Sequence, residues 1–238
     1  MKRLHLLLVL LLLAVVAYAF KSYIRRAVSP GDKTVSQRLE QFGDAARARW
    51  KPYFTQAQSV YPPSRVKIVA VKDERQLQVY ATDQNGSNRW IRSCSIRAAS
   101  GYPGPKLKEG DGQVPEGIYP IESLNPNSLF HVSLRVGYPN EFDRARAAKE
   151  GRTDLGGDIM IHGGAVSIGC LAMGDEVAED LFVLAADTGL TRLTLIITPV
   201  DFRKGKAPPK EAKLPVWSET LYSEIKSQLT GLPPPEPK

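Results

Sequence analysis

The 238-residue sequence contains few of the residues that build metal sites and disulfide frameworks, with two cysteines and three histidines. None of the cysteine and histidine spacings typical of zinc sites occurs. A metal centre would have to combine Cys170 and His162 with Asp158 and Asp175, at spacings that match no recognised ligand set. We therefore expect chemistry that uses neither a metal nor a cofactor.

The sequence also lacks internal repeats, a helix-turn-helix signature and any strand on which aromatic and basic residues interleave. Its formal net charge of +7 lies partly in the two ends of the chain, so we expect no nucleic acid as a partner. The charge is compatible with attraction to an anionic polymer. With 42% hydrophobic and 24% charged residues, the composition excludes wholesale disorder and a multi-span membrane protein.

One long apolar run is present, Leu6–Phe20, and Lys2 and Arg3 precede it. This order is typical of a secretory signal, so we expect export to the periplasm or cell envelope. An A-x-A sequence near the end of the run favours cleavage, whereas the basic residues that follow favour an uncleaved anchor in the inner membrane. Residues 1–28 are therefore predicted to be a signal peptide or an N-terminal membrane anchor.

Periodicity divides the rest of the chain into three segments. Residues 29–63 are predicted to be a helical lead-in, with a helix over 35–54 that Pro52 helps to close. Residues 64–200 alternate apolar and polar positions, and strands are expected at 66–70, 77–81, 89–98, 117–123, 129–136, 158–162 and 193–198. Residues 201–238 are predicted to be a basic, Pro-rich tail with a short helix over 218–229.

One strong helix interrupts the strands at Asp175–Thr188, with acids in its first turn and Gly189 as its C-cap. Turns are expected at the glycine- and proline-rich clusters 101–105 and 125–127. The predicted fold class is therefore mainly β with α additions.

The stretch 158–173 carries the residues best suited to catalysis. An expected strand delivers His162, a glycine-rich turn follows, and Cys170 arrives shortly before the helix that begins near 175. A thiol near a helix N-terminus and beside an imidazole has two reasons for a lowered pKa. This order of residues favours a cysteine nucleophile with a histidine base.

The same turn supplies candidates that would support such a reaction. Gly169 and Cys170 provide backbone N–H donors for an oxyanion, and Ser167 is placed to hydrogen-bond the imidazole or a substrate. The bare spacing also fits a buried thiol with a satisfied histidine, or a disulfide between Cys94 and Cys170 in an oxidising compartment. Cys94 has no neighbouring base and is best interpreted as a buried small hydrophobe.

His162-Gly followed by Ser167-x-Gly-Cys170 resembles the active-site signature of the YkuD-type L,D-transpeptidases. Further segments resemble the YafK-like branch of that family, and the similarity covers residues 66–200. These segments are 100–106, 109–111, 115–119, 137–140, 142–145 and 151–153. The resemblance implies an L,D-transpeptidase-type β-sandwich or barrel-like catalytic domain over 64–200, with one helix after the cysteine and short helical extensions at both ends.

Carried over onto this sequence, Cys170 matches the family nucleophile and His162 matches the family histidine. The resemblance implies attack on the carbonyl at the L-centre of the diaminoacid in a peptidoglycan stem peptide, and the thioester then passes to an amine or to water. Transfer to water would make the protein a hydrolase that releases protein tethered to peptidoglycan. Ile168 and Ala172 stand where many members have a second histidine and an arginine, which keeps a non-catalytic wall-binding module as an alternative.

Five further residues are predicted to bind the substrate: Tyr138, Asn140, Arg144, Arg152 and His131. Arg144 and Arg152 flank an expected polar loop, and guanidinium groups suit the carboxylates of stem peptides. Tyr138 and Asn140 belong to a turn expected to line the site. His131 is either a core or rim histidine or a replacement for the missing second imidazole. The expected partners are peptidoglycan and a wall-tethered protein.

Overall fold

The computed structural model describes residues 33–209 and 214–235. The predicted signal peptide or anchor, residues 1–28, lies outside these residues. Among the residues described, no helix is both long enough and apolar enough to cross a lipid bilayer.

Eight strands form one mixed sheet, so the predicted mainly β fold class is confirmed. They are β1 (Arg65–Val71), β2 (Gln76–Thr82), β3 (Asn88–Ser95), β4 (Gly117–Ser128), β5 (His131–Val136), β6 (Met160–His162), β7 (Leu171–Ala172) and β8 (Leu193–Thr198). Their order in the sheet is β3-β2-β1-β8-β4-β5-β6-β7. The helices are α1 (Val35–Gln56), α2 (Glu141–Lys149), α3 (Asp175–Thr188) and α4 (Ser218–Thr230).

Strand β1 lies inside the sheet, paired antiparallel with β2 and parallel with β8. Val66, Ile68 and Ala70 belong to the core on one face, and Val69 and Val71 belong to the core on the other. A strand that is covered on both faces has an almost continuous apolar sequence. This explains why only part of β1 shows the alternation of a half-buried strand.

The two edge strands of the sheet meet just beyond the end of β3. The N–H of Arg97 donates to the carbonyl of Ala172 in β7 at 2.8 Å, and Ala98 forms an antiparallel bridge with the same residue. Because β3 and β7 are the first and last strands in the sheet order, this bridge brings the two ends of the sheet together. The bridge lies beside the predicted nucleophile.

Helices α1 and α3 pack together over one face of the sheet. Trp50 is fully buried, and its Nε1 donates to the carbonyl of Asp180 at 2.8 Å. Three ion pairs also join the helices, Arg49 with Asp180 at 2.6 Å and with Glu179 at 3.2 Å, and Arg47 with Asp187 at 2.8 Å. The predicted helical lead-in is therefore tied to the helix that follows the cysteine.

Helix α4 packs against the opposite face of the sheet. Its residues Leu221 and Ile225 are buried in a cluster with Val71 and Ile196. The short helix predicted in the C-terminal tail therefore contributes a second hydrophobic layer to the domain.

The strands expected at 89–98, 129–136 and 158–162 are shorter in the structure, and three further local features differ from the predictions. Helix α1, expected to end at 54, continues to Gln56, because burial of Phe54 after the proline holds the last turn despite the missing N–H. Strand β4 includes the predicted turn 125–127, and an irregular register near its end accommodates Pro126.

The third difference is helix α2, which replaces an expected polar loop. Asn140 caps its N-terminus by accepting the N–H of Asp143 at 2.9 Å, and the Asp143 carboxylate accepts the N–H of Asn140 at 3.0 Å. This reciprocal capping box satisfies two backbone donors and starts the helix. Arg144 consequently lies on a helix and is exposed.

Candidate active site

Strand β6 ends at His162, whose side chain is buried with only 2% of the residue exposed. Its Nδ1 lies 2.6 Å from the carbonyl oxygen of Gly163. A carbonyl only accepts, so Nδ1 carries the proton and Nε2 of the neutral ring is left as an acceptor. Burial lowers the pKa of His162, although the bond to Gly163 opposes this shift. The imidazole is thus held in the form that can take a proton.

Phe130 holds this imidazole from one side. The two rings stack with centroids 4.7 Å apart and an interplanar angle of 27°. The carbonyl of Phe130 also accepts the N–H of Gly163 at 3.0 Å. This bond fixes Gly163, whose own carbonyl accepts the hydrogen bond from Nδ1. A side chain at Gly163 would place Cβ 2.6 Å from the Phe130 oxygen and 2.5 Å from Asp175 Oδ1. Only glycine permits this close approach.

Cys170 immediately precedes β7, which pairs in parallel with β6. The register aligns Ile161 with Leu171 and His162 with Ala172. Because side chains alternate along a strand, extending the register by one residue puts Cys170 on the same face as His162. Their side chains make no direct hydrogen bond in the described part of the chain, and Cys170 Sγ lies 3.7 Å from the carbonyl of Asp158.

The protonation state of Cys170 differs from the prediction. Burial raises the pKa of the thiol, and the Asp158 carboxylate raises it further, while a backbone contact with Met160 and the charge of Lys106 act in the opposite direction. Helix α3 begins at Asp175 as predicted, and Leu171–Ala172 of β7 and Gly174 lie between the thiol and the start of the helix. The thiol therefore needs a base to become a nucleophile.

The backbone donors expected for an oxyanion already have partners. The N–H of Gly169 donates to Ser100 Oγ at 2.6 Å, and the N–H of Cys170 donates to Ser167 Oγ at 3.1 Å. Ser167 Oγ donates in turn to the carbonyl of Cys170 at 2.7 Å. Gly169 has φ +97, which L side chains rarely adopt. Ser167 thus shapes the turn around the thiol, and an oxyanion would have to replace a serine hydroxyl at each amide.

Ser100 was not singled out from the sequence, although it lies in one of the segments that resemble the family. A buried ion pair between Lys72 Nζ and Glu116 Oε1, 2.9 Å apart, supports the loop that carries Ser100. Glu116 also accepts the N–H of Gly104 at 2.7 Å and the hydroxyl of Tyr222 at 2.7 Å. Burial lowers the pKa of Lys72. No sequence pattern indicated this network, because its members are far apart in the chain.

Two of the predicted substrate-binding residues bond within the protein. The hydroxyl of Tyr138 is buried and donates to the carbonyl of Leu155 at 3.2 Å. Asn140 caps α2, and its Nδ2 donates to the carbonyl of Ile118 at 2.9 Å. These contacts use the polar atoms that a substrate would need.

Arg152 lines a cavity of about 650 Å³, whose other lining residues are Pro105, Leu107, Lys108, Asp111, Gln113, Gly151, Thr153 and Asp154. Its Nη1 donates to the carbonyl of Leu107 at 2.8 Å, and Glu150 pairs with its Nη2 at 2.7 Å. The carbonyl of Gln113 lies 3.3 Å from the position of a Cβ on Gly169. One residue of the cavity wall, Gln113, therefore contacts the turn that carries Cys170, whereas the exposed Arg144 does not line the cavity.

His131 lies next to the catalytic strand in the sheet but bonds away from the thiol. Its Nε2 is 2.8 Å from Glu179 Oε1 on helix α3, and its backbone has φ +75. Its ring centroid is 5.9 Å from that of Phe42 on α1. The imidazole thus links the sheet to the helical layer. No disulfide joins Cys94 and Cys170, and Cys94 is buried, as predicted for a small hydrophobe.

The family model of the L,D-transpeptidase catalytic domain, YkuD, matches residues 65–200. YafK from Escherichia coli strain K12, which is named provisionally as an L,D-transpeptidase, is 36% identical over 121 residues. The match covers 50% of this chain and 46% of that protein, and the protein of the same name from Escherichia coli O157:H7 matches equally. The chain thus spans about half the length of the curated relatives it matches.

Two solved structures resemble the fold more distantly. The helical cell shape determining protein Pgp2 from Campylobacter jejuni aligns with a TM-score of 0.48 and 21% identity, over 61% of this chain and 50% of that chain. L,D-transpeptidase 1 from Mycobacterium tuberculosis aligns with a TM-score of 0.33 and 15% identity, over 56% of this chain and 62% of that chain. Both TM-scores are below 0.5, so neither similarity bears on function.

Proposed function

The chain belongs to the YkuD family of L,D-transpeptidase catalytic domains, and on this premise we propose that it is an extracytoplasmic cysteine acyltransferase acting on peptidoglycan stem peptides. Cys170 is the nucleophile and His162 is the base. The reaction takes place in the periplasm or cell envelope, during remodelling of the cell wall. Peptidoglycan is the substrate, and a wall-tethered protein is a candidate partner.

The observation that carries this proposal is the bond between His162 Nδ1 and the carbonyl of Gly163, 2.6 Å long. It assigns the proton of the neutral ring to Nδ1 and leaves Nε2 as the basic nitrogen. The strand register supports an orientation of Cys170 and His162 towards the same side of the sheet. A buried thiol with a raised pKa needs such a base.

In the proposed reaction, His162 Nε2 takes the proton of Cys170 Sγ as the sulfur attacks the carbonyl carbon at the L-centre of the diaminoacid. The amide nitrogen leaves with that proton, and a thioester remains on Cys170. An amine or a water molecule then gives a proton to His162 Nε2 and attacks the thioester carbonyl. The sulfur leaves and recovers its proton from His162.

The cavity of about 650 Å³ beside Gly169 is the proposed binding site for the stem peptide. Arg152 and Lys108 on its wall suit peptide carboxylates, and Asp111 and Asp154 suit an ammonium group. The developing oxyanion would accept the N–H groups of Gly169 and Cys170, displacing the serine hydroxyls that now accept them.

A wall-binding module without turnover is the second candidate. The engaged amides of Gly169 and Cys170 and the raised thiol pKa both favour it, because neither matches a site poised for chemistry. Such a module would bind peptidoglycan equally well after Cys170→Ala.

The deciding experiment incubates the full chain with peptidoglycan that carries covalently attached protein and identifies the products by mass spectrometry. Wild type is compared with Cys170→Ala and with Cys94→Ala, which removes the other thiol as a matched control. We expect products from wild type and Cys94→Ala and none from Cys170→Ala. New cross-links or amino-acid exchange would identify an amine acceptor, and released protein with free stem peptides would identify water.

Binding without any thiol-dependent product would contradict the acyltransferase and favour the wall-binding module. Equal product formation by Cys170→Ala would reject Cys170 as the nucleophile.

A further inference from the structure

A second depression, separate from the cavity beside Gly169, lies along the outer edge of β3 and has a volume of about 850 Å³. We call it the β3 groove; its walls include Tyr53, Trp90, Arg92, Arg97, Met173 and Lys204. Pro234 and Pro235 form part of another wall. None of the described residues that line the groove is acidic, whereas three are cationic. The groove therefore favours a ligand that presents hydrogen-bond acceptors.

The three cations differ in their availability. Arg92 is paired with Asp180 at 2.7 Å, and Lys204 is paired with Glu74 at 2.8 Å. Arg97 is exposed, and across residues 33–209 and 214–235 its guanidinium forms neither a hydrogen bond nor an ion pair. Its five N–H donors are therefore available to a ligand in the groove.

The aromatic side chains provide a surface for flat apolar faces. Trp90 is half-buried against the layer formed by α4, and its Nε1 donates to Ser93 Oγ at 3.2 Å, which orients the ring. Tyr53 is exposed on α1 and lies 5.0 Å from the guanidinium of Arg92. Aromatic rings beside a few polar groups are typical of binding sites for ring-shaped ligands.

The β3 groove and the thiol are joined by two short segments. Arg97 bonds through its backbone to Ala172, which follows the nucleophile, and Met173 lines the groove. The second connection is the segment 97–100. Arg97 at its start lines the groove, and Ser100 at its end accepts the N–H of Gly169. The groove and the thiol are therefore separated by only a few residues along each segment, which suits a substrate with two covalently linked parts.

We propose that the β3 groove binds the glycan strand of peptidoglycan while the stem peptide enters the cavity beside Gly169. Sugar rings have apolar C–H faces that stack on Trp90, and their acetamido and hydroxyl oxygens accept from Arg97. Each stem peptide is attached to a sugar, so a groove that adjoins the peptide site meets the glycan of the same substrate. This inference rests on the proposed function and names the second half of its substrate.

The test measures binding of two probes by calorimetry, a free stem tetrapeptide and the same peptide attached to its disaccharide. Full-length Cys170→Ala is the parent protein, so that nothing is turned over. Arg97→Ala, Trp90→Ala and Trp90→Tyr are added to the parent. Arg89→Ala is the matched control, because Arg89 is an exposed arginine of the same strand outside the groove.

We expect the parent to bind the disaccharide peptide about tenfold more tightly than the free peptide, since charge-assisted hydrogen bonds contribute on this scale. Arg97→Ala and Trp90→Ala should bring the ratio of the two affinities close to one. Trp90→Tyr, which keeps an aromatic ring, should retain most of the preference, and Arg89→Ala should retain all of it. Thermal unfolding confirms that each variant is folded.

Equal affinity of the parent for both probes would overturn the proposal, as would an unchanged ratio in Arg97→Ala and Trp90→Ala. The two proposals fail separately. A retained disaccharide preference with no thiol-dependent product leaves the groove as the site of a binding module. A thiol-dependent product without the preference leaves the acyltransferase and rejects the groove.

Discussion

At the scale of single residues, the pKa values of the proposed base and the proposed nucleophile are shifted in opposite directions. Burial lowers the pKa of His162, whose Nδ1 is occupied by the Gly163 carbonyl, and burial raises the pKa of the Cys170 thiol. A preformed thiolate and imidazolium pair would require the opposite shifts. The site is therefore suited to transferring the proton when the substrate arrives.

The first prediction concerns the reactivity of Cys170 towards iodoacetamide. Because its pKa is raised, alkylation should be slow at pH 7, with a midpoint above the ordinary thiol value of about 8.5. The rate is measured against pH by mass spectrometry in Cys94→Ala, where Cys170 is the one remaining thiol. A midpoint near or below pH 7 would indicate a preformed thiolate and would contradict this account.

The second prediction concerns Phe130, which stacks on His162 and fixes the turn after it. Phe130→Ala should raise the pKa of His162 towards its ordinary value of about 6.5, because the ring that keeps water away is lost. NMR titration of the imidazole measures this change, and with three histidines in the chain, His131→Gln helps to assign the signals.

Phe130→Tyr keeps the ring and serves as the conservative control for this titration, with a pKa close to that of wild type. The same pKa in Phe130→Ala and wild type would show that the stacked ring does not set the environment of His162.

At the scale of elements, the capping of α2 depends on a buried acid. Burial raises the pKa of Asp143 to about 6, although it accepts the N–H of Asn140. In the unfolded chain the value is about 3.9, so the folded state holds the proton more tightly. The contribution of this group to stability is thus complete below about pH 4 and is lost as the pH rises through about 6.

The third prediction follows from this difference in pKa. As the pH is raised from 4 to 7, the free energy of unfolding of Asp143→Asn should rise by about 2 kcal/mol relative to that of wild type, because the amide is never ionised. Urea unfolding at both pH values measures the free energies. Asp44→Asn is the matched control, since the Asp44 side chain is fully exposed on α1. If Asp143→Asn and Asp44→Asn changed the pH dependence of the free energy of unfolding equally, the role of Asp143 would be rejected.

At the scale of the whole molecule, the Lys72–Glu116 pair connects the central strand β1 to the loop that carries Ser100. Tyr222 on α4 completes it, so the C-terminal helix contributes to the support of the turn that carries Cys170. Both charged side chains are almost inaccessible, at 7% for Lys72 and 0% for Glu116. Removing one partner of such a pair leaves an uncompensated buried charge.

The fourth prediction is that Lys72→Met lowers the free energy of unfolding by about 3–5 kcal/mol. Tyr222→Phe, which removes one neutral donor, should cost about 1–3 kcal/mol. Lys67→Met, on the same strand but partly exposed, should stay within about 0.5 kcal/mol of wild type. Urea unfolding measures all three. Equal effects of Lys72→Met and Lys67→Met would show that the buried pair has no special role.

The sequence by itself determined the features that depend on near neighbours. Helix α3 begins at Asp175 and ends at Thr188, and β8 spans 193–198, as predicted, because periodicity and caps act within a few residues. The capping box of α2 is also present in the sequence, although the polar composition around it favours a loop. The pairing of His162 with Cys170 was likewise proposed from the spacing of the motif and from the family resemblance.

Only the tertiary structure decided which distant groups meet and which are removed from water. Ser100, Phe130 and Glu116 reach the site through long loops and sheet pairing, so no local pattern singled them out. The raised pKa of Cys170 reversed the expectation for the same reason. Burial and the field of neighbouring charges are properties of the assembled fold, whereas periodicity and capping are properties of the adjacent chain.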